Sequence, residues 1–352
     1  MRYFFWLFLI LLVIFRFYIT KPIYKNGQKI RITTKITSQP VRYSSYQSLK
    51  LAGLKIYLPL YPEISYGDSV VVEGVVSDKK LNNPKLIEIK ENREILTSLR
   101  KNLLSLYQKS LPEPDSSLLS GIVIGSKSSL PEDFWNSLKK VGLAHVVVAS
   151  GMNVTFVASF LMTVLVIFLP RRKAITLALA GIWSYSVLSG LEAPIIRAAI
   201  MGSLTFAAQE FGRISSAWRI LVLSAVLMLI VRPDWIGDIG FILTFTATAS
   251  LMVFSKRIEN RLKFLPAIFR EGLATSLAAQ IGVGPILFVT FGQFNILSPI
   301  INALVLWTIP YIMIIGAVGG GIGLLFPMLG NLILYLAYPM TGWFIGIVRL
   351  FS

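Results

Sequence analysis

The sequence predicts a polytopic α-helical membrane protein with an N-terminal anchor helix and a small OB-like β-barrel domain on the extracytoplasmic side. Three observations carry this. Charged residues make up only 14% of the chain, against about 25% in soluble domains. Apolar runs of membrane-spanning length recur from Val141 to Leu350. Ahead of them, residues 21–95 alternate apolar and polar side chains with the period of strands.

Composition also removes several chemistries. The chain has no cysteine and a single histidine, His145, so disulfides, thiolate metal sites and a multi-histidine centre cannot be built from it. Gly121-Ile-Val-Ile-Gly-Ser-Lys127 resembles a phosphate loop but separates its glycines by three residues where four are required. No catalytic residue, metal or cofactor is therefore expected. The net charge of +17 crowds into loops and one polar region, where it suits anionic partners, nucleic acid and lipid headgroups alike.

The elements follow in order. Met1-Arg2 precedes an apolar run from Tyr3 to Phe15, and the bulky, basic Phe15–Lys21 offers no cleavage site, so residues 1–20 read as an uncleaved anchor. In residues 21–95, strand signals at Lys29–Ile36, Gly53–Leu60, Ser69–Val76 and Lys85–Lys90 are separated by Tyr-Pro, Tyr-Gly-Asp and Asn-Asn-Pro breaks. About five short strands, with Gly74 inside one, fit a small Greek-key barrel; an open meander is the alternative. Residues 96–140 read as an amphipathic, interfacial helical linker interrupted at Pro-Glu-Pro-Asp, with a second helix starting at Leu130-Pro-Glu-Asp-Phe134.

The multi-span core occupies residues 141–352. Spans are expected near 143–169, 174–190, 195–211, 218–231, 239–255, 272–291 and 296–315, with one or two more before 350. Several fall short of the roughly 20 residues of a straight span, and Pro285, Pro299 and Pro310 mark breaks. The Gly-x-x-x-Gly spacings in Gly316–Gly323 point to close helix packing. Arg171, Arg172, Lys173, Arg213, Arg219, Lys256, Arg257, Arg261, Lys263 and Arg270 fall in alternate loops. The positive-inside rule puts those loops in the cytoplasm and the barrel outside.

Two groups of residues are candidates for function. Between residues 20 and 100 Lys and Arg are twice as frequent as Asp and Glu, and Tyr43, Tyr46 and Tyr57 interleave with Lys29, Arg31, Lys35, Arg42 and Lys55. A basic groove with stacking aromatics is how OB folds hold single strands, although such a face also binds headgroups. In the core, His145, Ser150 and Asn153 occupy an apolar run, where polar groups are expensive; they line a hydrated path or bond to neighbouring helices. Ser-Gly at 150–151 invites a break. Arg197 enters an apolar helix, to snorkel, pair with Glu192 or face a cavity. Asp238 caps the following helix, and Gln293, Asn295 and Asn302 surround Ser298-Pro299. A serine hydrolase built on His145 and Ser150 lacks an orienting acid.

Four segments, in order, resemble the ComEC-type competence family: Gly142–Val154, Pro194–Met201, Arg219 through Ser250 and Phe291–Leu304. Leu118–Ser126 resembles the family's lead-in, and the anchor and barrel match its layout. The resemblance implies a channel in the bacterial inner membrane that passes single-stranded DNA into the cytoplasm during transformation. Its implied partners are a DNA receptor outside, an ATP-driven motor inside and, as a further possibility, a second copy of the chain. The core candidates would then line the pore. Many relatives continue into a metallo-β-lactamase-like domain, whereas this chain stops at Ser352 without a histidine-rich motif, so a short form is expected. Asn153 stands where many relatives have a second histidine, and it does not titrate near neutral pH. The rival reading is a small-solute or ion transporter with discontinuous helices, which would show a paired internal repeat; none is evident.

Overall fold

The computed structural model describes residues 2–20, 24–36, 40–42, 45–78, 80–91, 95–126, 130–148, 150–210, 216–291 and 295–352. Helix α1 (Arg2–Thr20) leads into strands β1 (Lys29–Lys35), β2 (Val41–Arg42), β3 (Tyr46–Leu51), β4 (Leu54–Pro59), β5 (Ser69–Ser77) and β6 (Lys80–Lys90). The rest is helical: α2 (Ile95–Ser110), α3 (Asp115–Ile124), α4 (Glu132–Val141), α5 (Ala144–Val147), α6 (Gly151–Phe168), α7 (Arg171–Ser189) and α8 (Ala193–Glu210). There follow α9 (Ala217–Val231), α10 (Ile239–Arg261), α11 (Ala267–Phe291), α12 (Ser298–Val305), α13 (Ile309–Leu325), α14 (Pro327–Tyr335) and α15 (Tyr338–Phe351).

The strands form one mixed sheet in the order β1-β5-β6-β4-β3-β2. All ladders are antiparallel except the parallel pair β4 and β6. Alternation works as expected: Leu54, Ile56 and Leu58 of β4 point inward while Lys55 and Tyr57 point out. Gly74 is required by contact, because a Cβ there would lie 2.5 Å from Leu81 Cγ. Two strands were unforeseen, the short β2 and the longer β3. The inward Gln47 of β3 replaces an apolar residue and ties down the β4–β5 connection, donating to the carbonyls of Pro59 (2.8 Å) and Pro62 (2.9 Å) and accepting from the Ile64 amide (3.3 Å). The described ladders form an open sheet, and no pairing of β1 with the β2–β3 edge is among them.

Among the described residues four helical stretches are long and apolar enough to cross a membrane: α5 with α6 (144–168), α10 (239–261), residues 269–290 of α11, and α12 with α13 (298–325); α14 and α15 make a fifth if that pair, bent by 45°, is one span. The segments expected as spans near 174–190, 195–211 and 218–231 are helical but fail that test. Helix α7 opens on Arg171-Arg172-Lys173, α8 carries Arg197 and ends on Glu210, and α9 has only 15 residues.

Packing centres on α3, whose ten residues are all buried. Small residues permit this. A Cβ on Gly316 of α13 would lie 2.5 Å from Val123 Cγ2, and one on Gly320 would lie 2.5 Å from Tyr107 Oη. That hydroxyl donates to the Gly316 carbonyl at 2.9 Å. The expected Gly-x-x-x-Gly packing is thus found, on two faces of α13, since Gly319 meets Leu334 of α14.

The sheet touches the helices at one end. Lys50 pairs with Asp238 at 3.4 Å, at the start of α10, and the Tyr66 ring lies 5.8 Å from the Arg100 guanidinium and beside Gly190, at the end of α7. Arg16 of α1 donates to the Ile230 carbonyl at 3.2 Å, at the end of α9. Arg171–Lys173, Arg219 and Lys256–Arg261 lie at the opposite ends of these same helices.

Candidate functional site

Two interruptions of the helical core define the candidate site, and each arises from local sequence. The first follows α4. Gly142 takes a left-handed conformation (φ +81°) and closes the helix through its amide; α5 is four residues long, and Ser150 is extended before α6 begins. The span expected near 143–169 is not one continuous helix: it is broken ahead of Gly151, where the Ser-Gly step invited a break, and Ser150 precedes α6. The second interruption lies between α11 and α12. Gln280, near the middle of α11, donates to the Asn295 carbonyl at 3.0 Å, so the chain turns back alongside α11 before Pro299 starts α12.

The two breaks meet. Asn295 Nδ2 donates to the Lys140 carbonyl at 2.9 Å, and its Oδ1 accepts from the Leu297 amide at 2.8 Å. A Cβ on Gly142 would lie 2.5 Å from Ser298 Oγ, which in turn is 3.5 Å from Asn302 Nδ2. Asn302 Oδ1 is buried without a partner. His145 is exposed, with Nδ1 2.9 Å from the Gly142 carbonyl.

On the other side of the first break, Ser150 Oγ lies 3.2 Å from Asn153 Oδ1, to which it donates, and Asn153 Nδ2 donates to the Ile122 carbonyl of α3 at 2.8 Å. Asn153 is fully buried. Arg197 comes to the same place: its Nε donates to Thr244 Oγ1 at 2.8 Å, and a Cβ on Gly151 would lie 2.7 Å from its Nη2. A guanidinium thus stands beside the N-terminal turn of α6, where amide groups already present partial positive charge. His145 and Ser150 bond to different groups, so no nucleophile–base pair forms between them.

The structure therefore gathers Ser150, Asn153 and Arg197 into one cluster and His145, Asn295 and Asn302 into a second, at the two ends of α5. Gln293 lies outside the described residues, as does Tyr43; Arg42 lies in β2. On the sheet, Lys29, Arg31 and Lys35 line the outer face of β1, with Arg31 3.7 Å from Glu73 of β5. Tyr46, Tyr57 and Lys55 lie on β3 and β4 at the other flank, and the two tyrosine rings meet edge to face at 5.6 Å. Among the described residues no group of three His, Cys, Asp or Glu is placed to hold a metal.

Arg100 was not foreseen. It is 4% exposed, and its Nη1 donates to the Ile124 carbonyl at 2.7 Å and to the Leu188 carbonyl. It thus holds the C-terminal ends of α3 and α7, where a cation is favoured. Burial pulls its pKa down to about 10, against the raising effects of Tyr66, Tyr185 and Glu192.

A small sheet on one end of a mostly helical chain with several candidate spans, broken where polar side chains converge, defines a multi-pass membrane protein with interrupted helices. Residues 122–352 match the family described as Competence protein. The chain belongs to that family. ComE operon protein 3 of Bacillus subtilis (strain 168) is 28% identical over 225 residues, 63% of this chain and 28% of that protein. Competence protein ComA of Neisseria gonorrhoeae is 26% identical over 214 residues, 57% of this chain and 30% of that protein. The uncharacterized protein YcaI of Escherichia coli (strain K12) is 26% identical over 232 residues, 62% and 30% respectively. The chain spans less than a third of the length of these relatives. No solved structure matches it.

Proposed function

We propose that this protein is a bacterial inner-membrane conduit that passes single-stranded DNA into the cytoplasm during natural transformation. A separate ATP-driven motor supplies the force and a receptor outside delivers the DNA. The observation that carries this reading is the family match over 122–352, which contains both helix breaks. The arrangement at Arg197 supports it: a guanidinium beside the start of α6 attracts phosphates, while its bond to Thr244 and the neutral Ser150 and Asn153 keep the attraction dispersed. A path that held phosphates tightly would stall.

The sheet would close into an OB-like barrel outside the membrane by bringing β1 to the β2–β3 edge. Its exposed Tyr46–Tyr57 pair and the adjacent Lys55 present a stacking surface for unpaired bases. Basic loops at the opposite end of the helices favour the cytoplasmic side for those loops. The small-solute transporter has no specific observation in its favour.

The test is complementation of a strain lacking this gene. Arg197→Leu and Asn153→Leu should lower transformation at least about tenfold at unchanged membrane levels, as expected for loss of a charge-assisted or buried contact. Wild-type transformation by both variants would remove these residues from the path.

A further inference from the structure

Three buried polar atoms lie together at the sheet-facing end of the core: Arg100 Nη2, which no group among the described residues satisfies, and the hydroxyls of Tyr185 and Ser189, which face each other without a well-formed bond. Tyr185 and Ser189 are one turn apart on α7, and Arg100 reaches the intervening Leu188 carbonyl. Tyr185 Oη also faces Asn153, so this group adjoins the candidate path. Buried polar groups are normally satisfied. A guanidinium nitrogen that is not, beside two hydroxyls turned only toward each other and Asn153, points to a ligand.

Their chemistry says which. A guanidinium donates only; Nη1 is engaged by two helix-end carbonyls, leaving Nη2 to donate to an acceptor beside the Tyr185 and Ser189 hydroxyls. Arg100 stays cationic at neutral pH, and the planar fork suits a phosphate oxygen. Above it lies Tyr66, its ring 5.8 Å from the guanidinium, on the loop between β4 and β5. A nucleobase can occupy such a stacking position equally well.

We propose that Arg100, Tyr185 and Ser189 form a binding subsite for a phosphodiester oxygen, uncovered when Tyr66 lifts from the guanidinium. Its natural ligand rests on the strand-conducting reading, whereas its preference for anions does not. Glu192 lies near enough to interact with Arg100, which weakens the field at the subsite and suits a strand that must move on.

Because the chain has no cysteine, Ser189→Cys provides a single thiol in the full-length protein. Sulfonate-bearing and trimethylammonium-bearing methanethiosulfonates of similar size are compared on detergent-solubilised protein, each normalised to its rate with a free thiol. With Tyr66→Ala added, the anionic reagent should react about fivefold faster, the effect of one hydrated unit charge a few ångströms away. Arg100→Lys should keep this preference and Arg100→Gln should remove it. Equal rates mean a chamber holding water only and overturn the proposal, as do faster cationic labelling or none when Tyr66 is shortened. Oligothymidylate should then slow labelling. Failure of that protection, with the anionic preference intact, contradicts the strand-conducting reading while the anion subsite stands.

Discussion

Gly151 has no side chain where Arg197 needs room: a Cβ there would fall 2.7 Å from Nη2 and 3.3 Å from Ala198 Cβ. The guanidinium can swing away, since its nearest clash is the end of a flexible chain, so Gly151→Ala should leave the fold intact but move the charge. Transformation by Gly151→Ala is expected to fall toward that of Arg197→Leu at normal membrane levels. Gly202→Ala, on the same helix as Arg197 and with no atom within 4 Å of its Cβ, should transform as wild type. Equal transformation by both would show that the position of Arg197 does not matter. Ser150, Asn153 and Arg197 were readable in the sequence because polar groups stand out in apolar runs. Arg100 was not, because an arginine in the charged Ile95–Ser110 helix looks like part of a solvated face, and only the packing of α2 against α3 and α7 buries it.

Helix packing rests on glycines chosen by position. In α13, Gly316 and Gly320 let α2 and α3 approach, whereas Gly321 has open space around it. Gly320→Val should lower the unfolding midpoint in detergent by several degrees, since overpacking costs about 1–3 kcal/mol, and Gly321→Val should leave it within a degree or so. Equal shifts would mean that α13 does not pack as described. The role of these glycines was legible from their spacing, but not the identity of their partners, because contacts between α13 and α3 join residues almost 200 positions apart. Strand β3 was missed for a different reason: its inward Gln47 breaks the apolar alternation and is satisfied by carbonyls of a distant loop.

Taken as a whole, the molecule places the sheet against one end of the helices and its basic loops at the other, with both helix breaks between. The layout of N-terminal helix, sheet and broken helical core was visible in composition and periodicity, because burial in lipid and pairing in sheets impose different periods on a chain. The meeting of the two breaks was not, since Gly142 and Ser298 touch only through the folding back of the chain beside α11. Under this account, transported DNA passes Asn153. A photo-crosslinking amino acid at position 153, in cells taking up labelled DNA, tests this most directly, with Ile167, 72% exposed on the outer surface of α6, as the comparison. The account predicts an adduct with single-stranded DNA from position 153 and none from position 167. An adduct from neither position in cells that still transform, or equal adducts from both, would contradict it.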